Sequence, residues 1–121
     1  MAATNITVQK LEKYNEPAVA KANTAMAEAL DGTAGAKIKW DERDDKMLVL
    51  IQNTATSEQT ATIKAGDGIM GVCDLAITIA ASSYTFVALD SARFKWVSGE
   101  NKGHVLVTGA SSIKVAAFKL P

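Results

Sequence analysis

The chain has 121 residues, with 13 basic and 13 acidic side chains that cancel to a formal charge of zero. A chain of that length fits one domain and buries roughly two-thirds of its unfolded surface, so it needs no metal or disulfide to fold. Cys73 is the only cysteine, which excludes an internal disulfide, and the scattered charge lacks the clustered positive face of a nucleic-acid binder.

The first residues, Met1-Ala-Ala-Thr-Asn-Ile-Thr7, hold neither the basic nor the apolar stretch of a signal peptide. The glycosylation triplet Asn5-Ile-Thr7 therefore carries no weight without a secretory route. The longest purely apolar run is Met47–Ile51, far short of the roughly 20 residues that cross a bilayer. A soluble protein made in the cytoplasm, without nucleic-acid or membrane partners, is expected. With 48% hydrophobic residues and no net charge, association is expected over life as a lone monomer.

Residues 1–36, rich in alanine, threonine and asparagine, read as an N-terminal arm or short helical segment ahead of a β-sandwich domain over 37–121. Ile6-Thr-Val8 is one short strand-like run. Beyond it, Asn15 suits a helix N-cap, Pro17 suits the first turn, and Val19, Ala22, Met26 and Leu30 fall near one face. Gly32 is a stop signal. That face is mostly alanine and offers little area to bury, so a short helix and an extended arm both stay open. Asp31-Gly-Thr-Ala-Gly-Ala36 is then a loop.

From Lys46 onward the chain is a relay of strand-like runs: Met47–Gln52, Thr60–Lys64, Leu75–Ile79, Tyr84–Leu89, Phe94–Val97, Val105–Val107 and Ile113–Phe118. Short strands spaced about 8–12 residues apart predict an all-β fold, an antiparallel β-sandwich of jelly-roll or immunoglobulin-like type. Alternation predicts that Ala61 and Ile63, then Leu75, Ile77 and Ile79, then Phe94 and Trp96, then Ile113 and Val115 each face inward. Met47–Ile51 is apolar on both faces, which predicts a central strand covered outside by the N-terminal segment or a neighbouring subunit. Ser98-Gly99 and Lys102-Gly103 bracket a loop after Trp96, and Gly109 precedes the last strand.

Chemistry is sparse between these runs. Gly66-Asp-Gly-Ile-Met-Gly71 matches G-x-G-x-x-G, but a dinucleotide site needs a helix to open there, and Leu75–Ile79 reads as a strand. The glycines are expected in a turn. Asp41-Glu-Arg-Asp-Asp45 offers oxygen ligands for a hard cation but lacks the D-x-D-x-D-G order, so a solvated hairpin tip is expected. His104 is the only histidine and sits in no catalytic motif; none of Ser82, Ser83, Ser111 and Ser112 lies in a G-x-S-x-G elbow. Cys73 has no basic neighbour in sequence to activate it and is read as a small packing residue. Trp40, Trp96, Phe86 and Phe94 suit a sugar-stacking platform, yet at least three of them are expected in the core. No catalytic, cofactor-binding or metal residue is predicted, and no cofactor.

Leu48-Val-Leu-Ile-Gln-Asn-Thr54 and Thr60-Ala-Thr-Ile-Lys-Ala-Gly-Asp67, continued by Gly71-x-x-Asp74-Leu75, Ser91-Ala-Arg-Phe-Lys95 and Val115-Ala-Ala-Phe118, resemble small β-sandwich proteins of tailed bacteriophages. The resemblance spans residues 37–121. It implies a capsid decoration or other virion accessory protein, not an enzyme, and brings no active-site residues. The expected role is a homo-oligomer, trimer or dimer, that binds the major capsid protein on the head surface of the virion. The alternatives are a tail, neck or head–tail connector subunit, or a carbohydrate-binding adhesion module.

Overall fold

A computed structural model describes residues 4–10, 28–29 and 35–120. The described strands are β1 (Thr4–Ile6), β2 (Val8–Lys10), β3 (Glu28–Ala29), β4 (Ala36–Lys39), β5 (Met47–Asn53), β6 (Gln59–Ile63), β7 (Leu75–Ile79), β8 (Tyr84–Val87), β9 (His104–Thr108) and β10 (Ile113–Lys119). One short helix, α1, spans Ser91–Phe94. The antiparallel β-sandwich expected from the spacing of the runs is the architecture observed. One sheet runs β1-β4-β9-β6-β7, the other β2-β10-β5-β8, with β3 also paired to β10.

The topology is a rolled hairpin. Strands β3 and β10, β4 and β9, β5 and β8, and β6 and β7 are nested antiparallel pairs, so the chain folds back on itself about the β6–β7 turn. Pairing of β5 with β10 and of β6 with β9 then closes the ribbon into two facing sheets. This is the eight-stranded jelly-roll order of two Greek keys. It places the loop between Ile63 and Leu75 at the tip of the hairpin. Among the described residues, the only parallel pairings are β1 on β4 and β2 on β10.

Alternation decides which side chains meet between the sheets. Ile38, Val49, Ile51, Ile63, Ile79, Val105, Val107, Ile113 and Val115 are fully buried there, joined by Trp40. β-branched residues dominate because their stiff side chains pack well on a pleated surface. Asn53 of β5 ties the two sheets, and Trp40 ties the end of β4 to the crossing turn and α1. The Asn53 amide donates from Nδ2 to the carbonyls of Ser57 (2.9 Å) and Ile79 (3.0 Å), and its Oδ1 accepts from Ala55 N. The Trp40 indole donates to Asp44 Oδ1 (3.0 Å), and Asp44 Oδ2 accepts from Ser91 N (3.1 Å).

β5 is central, between β10 and β8, as its doubly apolar sequence predicts. Its outer side chain Leu50 forms a second buried cluster with Ala116 and Phe118, with Leu48 packed against it. Residues 11–27, which include most of the segment offered as its cover, lie outside the described residues, and so does most of the expected helix.

Several expectations need correction. Ile6-Thr-Val8 is not one strand, because the chain changes sheets at Thr7. The described parts of the 1–36 segment are strands of the sandwich: β1 and β2 add to opposite sheets, and Glu28–Ala29, within the reach of the expected helix, pairs with β10. Phe94–Val97 is not a strand. Asp90 caps α1 by accepting from Ala92 N, Phe94 ends that helix, and only Lys95 bridges to Val105. Asp41–Asp45 is no hairpin tip either, since β4 and β5 belong to different sheets and a 3-10 turn at Asp44–Lys46 makes the crossing.

Candidate functional site

The glycine-rich segment Gly66–Gly71 occupies the tip loop and leads into a strand, so no helix opens there. Two of its glycines, Gly66 and Gly71, serve close packing. A Cβ at Gly66 would stand 2.6 Å from the Lys95 carbonyl oxygen, and one at Gly71 would collide with the Gly66 carbonyl. The loop backbone is tied down on its inner side. Gly66 N donates to Arg93 O (2.9 Å), and Gly71 N to Gly68 O (3.0 Å). Asp67 accepts from Val97 N (2.7 Å) through Oδ1 and from the Ser98 hydroxyl through Oδ2. Asp74 accepts from Ala65 N (2.7 Å) and pairs with Lys64 Nζ (2.7 Å).

These bonds favour the ionised carboxylates. The Ser98 hydroxyl, followed by the Val97 amide, holds Asp67 below the ordinary aspartate range, and the Ala65 amide, followed by Lys64, does the same for Asp74. At the sheet crossing, burial raises the Asp44 pKa, but the Trp40 and Ser91 hydrogen bonds outweigh it and the net direction is down.

The side chains of this tethered loop point to solvent. Ile69 is 98% exposed and Val72 78%, with Met70 and Leu75 also exposed and Val97 beside Gly68 at 57%. Loops normally carry polar residues, and scattered exposed apolar residues need no explanation. Here five apolar side chains share one hydrogen-bonded loop and its immediate neighbour. Together they place exposed apolar surface on a loop whose two ends are hydrogen-bonded through Asp67 and Asp74.

The other sequence candidates lie apart from it or serve structure. The carboxylates of Asp41–Asp45 diverge: Asp41 lies 3.8 Å from Lys119, Asp44 turns toward Trp40, and Asp45 pairs with Arg43 at 2.9 Å. No group of three or more His, Cys, Asp or Glu side chains that could hold a metal ion occurs among the described residues. Cys73 is exposed within the tip loop, which corrects its reading as a packing residue. Of the four aromatics, Trp40 and Phe94 are buried, Trp96 is half-buried with its indole N–H inside, and Phe86 is 63% exposed. Two rather than three belong to the core. A sugar platform on Trp40 is ruled out by its burial.

His104 is half-buried at the start of β9, its Nδ1 3.2 Å from Lys102 O. It lines a cleft of about 350 Å³ with Asp41, Lys37, Lys39 and Lys119, over a floor that includes Ile6. No hydroxyl or thiol lines this cleft for the imidazole to activate. No described helix is long and apolar enough to cross a membrane.

The tip residues Ile69, Met70 and Val72 were not singled out by the sequence reading. The available signal was a run of large apolar residues inside a glycine-bounded turn. No family model, curated protein or solved structure matches the chain.

Proposed function

We propose that the chain is a structural virion protein that decorates a phage head, seating the apolar tip of its rolled hairpin against the major capsid protein. The observation that carries this reading is the tethered loop with Ile69 and Val72 held in solvent. Full burial of such a side chain contributes about 1.5–3 kcal/mol, and a pre-ordered loop loses little entropy on docking. The resemblance of residues 37–121 to small phage β-sandwich proteins points the same way. Jelly rolls also build viral capsid and lectin domains, a fold-level analogy that does not assign function. A dimeric or trimeric form presents several tips at once, which multiplies weak contacts on a repeating lattice.

The test mixes purified protein with preformed capsids that lack it, followed by sedimentation and capsid melting. The protein co-sediments in many copies per particle and raises the capsid melting temperature, and a thiol reagent loses access to Cys73. Ile69→Ser and Val72→Ser each weaken binding roughly 10- to 100-fold while the free proteins stay folded. Failure of the native protein to bind, or equal binding by both variants, overturns the reading. Recovery in the tail fraction as a single ring assigns it to a connector instead.

A further inference from the structure

The cleft beside His104 lies where the chain passes from one sheet to the other at Thr7, with walls from both. Its charge is one-sided. Lys37, Lys39 and Lys119 supply three ammonium groups against the single carboxylate of Asp41. Asp41 is engaged with Lys119. The ammonium groups of Lys37 and Lys39 make no ion pair or hydrogen bond with any described residue, though two lysines beside a carboxylate would readily form them. They occupy alternate positions of β4 and so share the outer side of their sheet, about 6.6 Å apart along the strand. Asn5 of β1 stands opposite Lys37, and His104 of β9 stands opposite Lys39.

We infer that this cleft binds an extended acidic segment of another protein, with carboxylates at alternate positions seated on Lys37 and Lys39. The spacing argues for it, because alternate side chains of an extended peptide repeat at the same interval as alternate residues of β4. The setting argues for it as well. β1 is a sheet edge among the described residues, open on the side away from β4. Ile6 and Val8 give the cleft an apolar wall for the aliphatic stems of glutamate or its neighbours. A free phosphate is a poorer match, since the cleft has neither an arginine fork nor a nest of backbone N–H groups. A nucleic-acid backbone needs a longer cationic track than this cluster supplies. The inference does not depend on the apolar tip, which belongs to the opposite end of the β4–β9–β6–β7 path.

Because His104 is the only histidine, its imidazole resonances report on the cleft without ambiguity. The probe is a capped Glu-Val-Glu-Val-Glu peptide, titrated alongside Gln-Val-Gln-Val-Gln, inorganic phosphate and a single-stranded oligonucleotide. The acidic peptide shifts the imidazole and the Lys37–Lys39 amides saturably, and added salt weakens the effect. Lys37→Gln combined with Lys39→Gln loses about tenfold in affinity while keeping a native amide spectrum. Ile69→Ser binds the peptide as the native chain does, which separates this result from capsid docking. Equal binding of the glutamine peptide, saturation by phosphate at the same concentration, tighter binding of the oligonucleotide, or no shift at all overturns the inference.

Discussion

The two outer faces of the sandwich are built from opposite materials. The face on β1-β4-β9-β6-β7 presents Lys37 and Lys39 on β4, Thr60 and Thr62 on β6, Thr78 on β7 and Thr108 on β9, all exposed or half-exposed. The face on β10-β5-β8 presents Leu48, Leu50, Ala116 and Phe118, of which Leu50, Ala116 and Phe118 are buried although they point away from the main core. One sheet meets water, whereas the other carries a second layer of apolar packing. The apolar tip follows β6 and the basic cleft lies over β4, so these two features belong to different strands of the polar sheet.

The largest expected effect breaks this comparison directly. Phe118→Ala removes a ring that is 6% exposed on the apolar outer face, and urea unfolding should show a loss of about 3–5 kcal/mol. Thr62→Ala, on the outer face of the polar sheet, should change stability by no more than about 0.5 kcal/mol. Comparable losses at the two positions would erase the distinction between the faces.

A smaller effect is expected where the sheets are joined. Asn53→Ala leaves the Ile79 carbonyl and the Ala55 amide without their side-chain partner, which should cost about 2–3 kcal/mol by the same measurement. The neighbouring Gln52→Ala, on the outer face, should cost about 0.5 kcal/mol or less. Equal costs would mean that Asn53 does not act as the tie between sheets.

Alternation made β6 and β10 legible, because a half-buried strand writes its inward face every second residue, and the doubly apolar run marked β5 as central. In β7 it held for Ile79 but not for Leu75, which is exposed. It misled at Phe94-Lys-Trp96, where the same spacing arises from a four-residue helix capped by Asp90 and an extended exit. Four residues are too few to show a helical period. Pairing was not legible, since nothing local says that Lys39 meets His104 or that Thr7 turns the chain to the other sheet. The basic cleft depends on both of those facts. The apolar tip was half-legible: Ile69-Met70 stood in the sequence, but the hydrogen bonds of Asp67 and Asp74 to distant residues did not.

The smallest expected effect concerns those carboxylates and sharpens the contrast between a tethered tip and a half-buried crossing. Asp44, Asp67 and Asp74 all have lowered pKa values in the folded chain. Between the lowered values and the ordinary one of about 3.9, the unfolded chain binds more protons, so stability rises with pH through that window. Their contribution is complete above the window and disappears as pH falls through the folded values. Asp67 and Asp74 are solvent-exposed, so acid should loosen the tip with little change in global stability. Asp44 ties Trp40 to α1, so its protonation should be felt by the core. Amide spectra recorded during acid titration distinguish the two. The Val97 and Ala65 amides should shift with midpoints below the ordinary aspartate range while core amides hold still. The Ser91 amide and the Trp40 indole should move together with core resonances. Midpoints at or above the ordinary value for Val97 and Ala65 would mean that the carboxylates do not hold the loop, and that the apolar tip is not fixed in the free chain.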